Sequence, residues 1–140
     1  MPNPDPHTFT LAQARAMLPR VDALLLEMQA EQHRMREAQA VIDALRRSAT
    51  GNGGTTHSDT REGKKLLRRH AGRLHELAGE LEEMGVQIKD LARGLVDWVA
   101  EHDGHPVLLC WLQGETDIGW WHEIADGFAG RRAIVPAEWD

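Results

Sequence analysis

The chain has 140 residues, 41% of them hydrophobic and 27% charged, with a formal net charge of −6. That is enough for one globular domain with a modest core, and no apolar run approaches a membrane span or reads as a signal peptide. A single cysteine excludes an intramolecular disulfide framework and multi-cysteine zinc sites, so the expected compartment is the cytoplasm. The charge is unevenly spread: residues 95–140 hold nine Asp/Glu against Arg131 and Arg132, whereas residues 44–73 hold eight Lys/Arg and two acids. An acidic C-terminal part does not suit a phosphate backbone, while the local basic cluster would suit one, or an acidic partner.

Residues 1–8, Pro-rich and polar, read as a disordered lead-in. Thr10 is then an N-cap, with Gln13 completing a capping box and Phe9 and Ala14 at the positions of a hydrophobic staple. Pro19 is expected to end a short helix at about Leu18 or kink it, with a long helix restarting and running to about Ser48. Val21, Leu25, Met28, Met35, Ile42 and Leu45 form one stripe on that helix, widened by Leu24, Leu26 and Val41.

Residues 48–63, SATGNGGTTHSDTREG, carry loop chemistry throughout, and 48–60 read as a flexible linker. Gly51-Asn52-Gly53-Gly54 lacks the full phosphate-cradling pattern and follows no strand. A second helix from about Thr60 to Met84 places Leu67, His70, Leu74, Leu77, Leu81 and Met84 on a heptad seam, where His70 reads as a buried structural or register-setting residue. Gly85 closes it. Two long helices joined by a polar loop lie antiparallel, and their uncovered apolar edges call for a partner, most simply a second copy of the chain.

Beyond Gly85 the period becomes twofold. Val86–Asp90, Leu95–Glu101, Pro106–Gln113 and Asp117–Glu123 read as strands, with Asp103-Gly104 as a tight hairpin turn and residues 124–140 irregular. That turn sets a register in which Asp97 faces Cys110, Trp98 faces Leu109 and Val96 faces Trp111. An even loop after residue 113 puts His122 on the tryptophan face, away from Cys110; an odd loop or a bulge unites them. Even loops are commoner in short hairpins, so Cys110 and His122 are expected on opposite faces.

Several groups are candidates for chemistry. Cys110 as a nucleophile would need a base, and Asp97 opposite would raise its pKa, which favours a buried structural cysteine. Asp97, Glu115 and His122 offer a carboxylate–imidazole donor set for a divalent metal. Trp98, Trp111 and Trp120 read as core, or as an aromatic wall for a small ligand held with Glu115, His122 and Arg131. Arg46, Arg47, Arg61, Lys64, Lys65, Arg68 and Arg69, near the hairpin tip, read as a solvated helix end or as a contact for nucleic acid or an acidic protein.

FTLAQARAMLP (9–19), GVQIKDLARGLVDW (85–98), LCWLQGE (109–115), WWHE (120–123) and GFAGR (127–131) together resemble a bacterial family of unknown function, the domain-of-unknown-function 2203 family. The resemblance spans roughly residues 9 to 132; Trp98 and Trp120 depart mildly from its usual Phe and Tyr. It implies a bacterial protein with a helical hairpin and a small β part. It brings no established activity, so no catalytic role is carried over.

The expected fold is α+β: a long antiparallel, coiled-coil-like helical hairpin (9–84), then a small antiparallel sheet of three or four strands and an irregular tail (85–140), in one compact domain. The favoured function is a non-enzymatic scaffold or interaction module, homodimeric or larger through its helices. The alternative is a small-ligand or divalent-metal site on the β part, which could be catalytic. Nucleic acid is the least favoured partner, and none is expected in a membrane.

Overall fold

The computed structural model describes residues 7–52 and 57–139. Helix α1 spans Leu11–Asn52 and helix α2 spans His57–Glu83. The capping box forms as expected: Thr10 N–H donates to Gln13 Oε1 at 2.9 Å, and Gln13 N–H donates to Thr10 Oγ1 at 3.1 Å.

Pro19 neither ends nor restarts the helix; α1 is continuous through it. A mid-helix proline forfeits one backbone hydrogen bond. Here Ala14, Val21, Leu24 and Leu25 are buried on both sides of it, and packing overrides the local preference. Helix also extends into both ends of the expected linker, to Asn52 and from His57, while residues 53–56 and 1–6 lie outside the described residues. The linker glycines Gly53 and Gly54 therefore fall outside them.

The contacts divide the chain into two units, one of residues 26–79 and one of residues up to Leu25 together with those from Glu80 onward. In the first, Glu27 pairs with Arg73, Glu31 with His70, and Ile42 lies against Gly63. Numbers rising on α1 fall on α2, which is the antiparallel hairpin. His70 Nδ1 meets Glu31 Oε2 at 2.5 Å, and Glu31, itself buried, also takes Arg34 at 2.8 Å. The polar seam residue is thus answered by a polar residue on the facing helix. Leu26 and Val41 do not widen the apolar stripe; both face solvent.

In the other unit a five-stranded antiparallel sheet runs in the order β1 (Val86–Asp90), β2 (Leu95–His102), β3 (His105–Leu112), β4 (Trp120–His122) and β5 (Arg132–Ala133). The fifth strand was not expected, since two residues in a tail broken by Gly127 and Gly130 carry no period. Asp103 and Gly104 both have positive φ, 51° and 80°, as a two-residue hairpin demands. The β2–β3 register is the expected one, Asp97 opposite Cys110 and Trp98 opposite Leu109. Val96, Trp98, Ala100, Val107, Leu109, Trp111 and Trp121 are all buried on one face. Thr8 bridges to Val99, and Phe9 N–H donates to Val99 O at 2.8 Å. Helix α1 is tied to the sheet connections by Arg15, which donates to Ile118 O and pairs with Asp117, and by Asp22, which accepts from Gln113 Nε2.

Two turn glycines separate backbone strain from crowding. Gly94 has φ 72°, and a Cβ there would lie 2.4 Å from Gln113 Oε1; Gly104 has φ 80° and open space around it. Gly104→Ala should cost only the left-handed strain, about 1–2 kcal/mol. Gly94→Ala should cost more, because Gln113 must also leave its bond to Asp22. Urea midpoints of the two variants check the order.

Candidate functional site

The register of β4 decides the site. Leu108 pairs with His122, Leu109 with Trp121 and Cys110 with Trp120. His122 therefore lies on the face of Asp97 and Cys110, correcting the expectation that it would sit with the tryptophans. The cause is the connection, residues 113–119, which is longer than a tight hairpin and odd in length. Glu115 shapes it: Glu115 Oε1 accepts from Leu112 N–H at 2.6 Å, and Glu115 O accepts from Trp111 Nε1–H at 3.1 Å.

The result is three buried donors from three adjacent strands. One donor atom each from Asp97, Cys110 and His122 lie within 4.8 Å of one another. His122 Nε2 is 3.1 Å from Asp97 Oδ2, with side-chain exposures of 3% and 2%. The other ring nitrogen, Nδ1, is 2.7 Å from Glu123 O. A carbonyl only accepts, so Nδ1 carries a hydrogen and Nε2 meets the Asp97 carboxyl across one proton. The second carboxyl oxygen, Asp97 Oδ1, is buried and meets no donor in hydrogen-bonding geometry.

Burial raises the pKa of Asp97; the Cys110 thiol and His122 pull it back only in part. Burial first, and then the Asp97 charge, push the Cys110 thiol up to about 12. Both ring nitrogens of His122 are already engaged, by Asp97 and by Glu123 O. Neither nitrogen of His122 is therefore free to take the thiol proton, and the arrangement does not favour a cysteine nucleophile.

The cluster lines a pocket of about 160 Å³ walled by Leu95, Leu108, Ile124, Gly127 and Phe128, with Lys89 at its edge. Lys89 is the residue at which the β1–β2 register shifts, between Ile88 and Asp90. Such bulges re-aim side chains beside functional sites.

The other candidates fall elsewhere. Glu115 does not join His122; it holds Arg131 through two bonds, Nη1 to Oε2 at 3.0 Å and Nη2 to Oε1 at 2.6 Å. Cys110 takes the place among the potential metal donors that Glu115 was expected to fill. Trp98 and Trp111 are core, the favoured reading, and Trp120 is not; the alternative of a tryptophan wall does not form, because Trp98 and Trp111 are buried on the opposite face from Trp120. Trp120 lies instead under the Arg131 guanidinium, 5.2 Å from its ring centre, and Phe128 flanks the same group at 4.8 Å. Arg46, Arg47, Lys64, Lys65, Arg68 and Arg69 are all exposed on the helices that flank residues 53–56.

The site is a Cys/His/Asp cluster on the face of a small antiparallel sheet that follows a helical hairpin. The sequence matches the family described as an uncharacterised conserved protein, DUF2203, over residues 7–134, and the chain belongs to that family. No curated protein and no solved structure matches it. Among the described residues, no helix is long and apolar enough to cross a membrane.

The Glu115–Arg131 pair carries a pH signature. Desolvation alone would raise the pKa of Glu115, but the bonds from Arg131 and from Leu112 N–H outweigh it and lower the value. A carboxylate depressed in the folded state adds stability above its unfolded value and loses it as pH falls through the folded one. Glu115→Gln should therefore be less stable than wild type at neutral pH. The gap should close as pH falls below the ordinary carboxylate range, as read from urea midpoints across pH.

Proposed function

We propose that the chain is a divalent-metal protein whose Asp97, Cys110 and His122 bind a zinc-like ion on the β-sheet. The observation that carries this reading is the convergence of a thiol, an imidazole and a carboxyl in one buried cluster. Thiolate and imidazole suit zinc over the hard, oxygen-seeking cations. A tetrahedral zinc site separates its donors by about 3.3–3.6 Å, from metal–ligand lengths of about 2.0–2.3 Å. Asp97 Oδ2 and His122 Nε2, 3.1 Å apart, are already near that spacing.

The surroundings support the same reading. The Glu123 carbonyl fixes Nδ1–H and so presents Nε2 as the ligating atom, the usual outer-shell arrangement for a metal-bound histidine. Asp97 Oδ1 is a buried acceptor without a hydrogen-bond partner. Three protein ligands leave a fourth position, which is the pattern of catalytic rather than structural zinc.

Binding would replace two protons by the ion: the thiol proton of Cys110 and the one between Asp97 and His122. Uptake should therefore strengthen as pH rises and weaken as it falls. Zinc should bind wild type near one per chain and raise its melting temperature. Cys110→Ser and His122→Ala should each bind at least about tenfold more weakly, since loss of even an outer-shell partner costs that much. Equilibrium dialysis with elemental analysis checks this; wild type binding zinc no better than Cys110→Ser would refute it.

A second reading, a homo-oligomeric scaffold, draws support from the helical hairpin. Leu26, Val41 and Leu66 are 56%, 55% and 42% exposed, and Val41 and Leu66 share one surface groove. Self-association through this face should give a dimeric or larger mass by light scattering, shifted towards the monomer in Val41→Lys. A monomeric mass at micromolar concentration would remove this reading and leave the metal site untouched.

A further inference from the structure

Resting on the metal reading, we infer that the fourth coordination position receives a small monocarboxylate, its charge shared between the metal and Lys89 and its short apolar body lying against Leu95, Leu108, Ile124 and Phe128.

A divalent ion with the Asp97 carboxylate and the Cys110 thiolate is neutral, with His122 contributing none. Lys89, exposed at the pocket edge and in no salt bridge among the described residues, leaves one positive charge. One monoanion closes the balance, beside a Lys89 whose charge already acts on Asp97. The position of Lys89 follows from the register shift in β1, which sets it outside the regular β1–β2 pairing and on the pocket lining.

Size narrows the class. At about 160 Å³ the pocket is well below the roughly 300 Å³ at which sites begin to hold drug-sized ligands. It suits a molecule of a few heavy atoms. The wall is aliphatic and aromatic, so an apolar tail is welcomed and a polyhydroxylated one would be stripped of water without replacement.

The choice of carboxylate over phosphate rests on donors. A phosphate group carries more than one charge near neutral pH and wants several hydrogen bonds. The pocket offers one ammonium. Arg131, the obvious anion-binding group nearby, has its Nη1 and Nη2 committed to Glu115; its Nε is buried without a hydrogen-bond partner, but the residue does not line the pocket.

The test uses cobalt(II) in place of zinc, because its visible absorption reports changes in coordination. Full-length protein loaded with cobalt is titrated with butyrate, its neutral isostere butyramide, and inorganic phosphate. Butyrate should shift the spectrum and saturate, while butyramide and phosphate should not. Lys89→Met, loaded with cobalt in parallel, should bind butyrate about tenfold more weakly, the scale of one lost charge-assisted hydrogen bond. Cobalt taken up with no response to butyrate would overturn this inference and leave the metal site standing. Butyramide or phosphate acting as well as butyrate would overturn the carboxylate class, and equal butyrate binding by Lys89→Met would overturn the role of the lysine. Failure to take up cobalt at all would defeat the metal reading, and this one with it.

Discussion

A carboxyl group buried on a sheet face beside a thiol and an imidazole is the constraint around which the β part is arranged. Asp97 is central in β2, flanked by β1 and β3, and its Oδ1 meets no donor. An unsatisfied buried polar atom costs about 1–3 kcal/mol, more when charged. An all-apolar face would pack more cheaply. The chain instead places Cys110 directly opposite and His122 one strand further on, so that three polar side chains are withdrawn from water together. Polar groups gathered this way are satisfied by one shared partner more readily than by three separate ones, which is what a metal ion provides.

The irregular tail is what makes the face an interior. Without residues 124–131, Leu95, Leu108 and the cluster would lie on an open sheet. Arg131 anchors that segment through its two-pronged ion pair with Glu115 and a weaker contact to Cys110 O at 3.4 Å. The Phe128 ring is contacted by two guanidinium groups, Arg93 at 4.9 Å and Arg131 at 4.8 Å. Glu115 thereby does two jobs. It shapes the β3–β4 connection that fixes the His122 register, and it holds the segment that walls the pocket. A single ion pair links the placement of a site residue to the closure of its surroundings, and its Arg131 also lies close enough for its charge to act on Cys110.

What the sequence disclosed was local. The Thr10–Gln13 capping box, the Asp103-Gly104 turn and the register it sets, and the polar seam at His70 each depend on residues a few positions apart, or on a period that repeats. What it withheld depended on distance or parity. Pro19 broke a local rule that buried neighbours override. The side of the sheet on which His122 falls turns on whether a connection is odd or even, and one residue flips the answer. Cys110 is buried with a raised pKa, as its facing carboxylate led one to expect; only a metal that replaced the thiol proton would lift that constraint.

The charge distribution bears on how such a site would fill. Nine carboxylates against two arginines in residues 95–140 give that part a negative field at long range, which raises the local concentration of cations. Inside the pocket the sign is reversed once an ion is held, because the donors neutralise it and Lys89 remains. Long-range attraction for a metal and short-range attraction for an anion then act at different stages, and the second exists only after the first is met. Salt should separate them in kind: added electrolyte screens the distant field over about 10 Å or less, whereas a bond made in contact with the ion survives it. On this account cation capture is the salt-sensitive step, and occupation of the fourth position depends on the local geometry of β1 at Lys89.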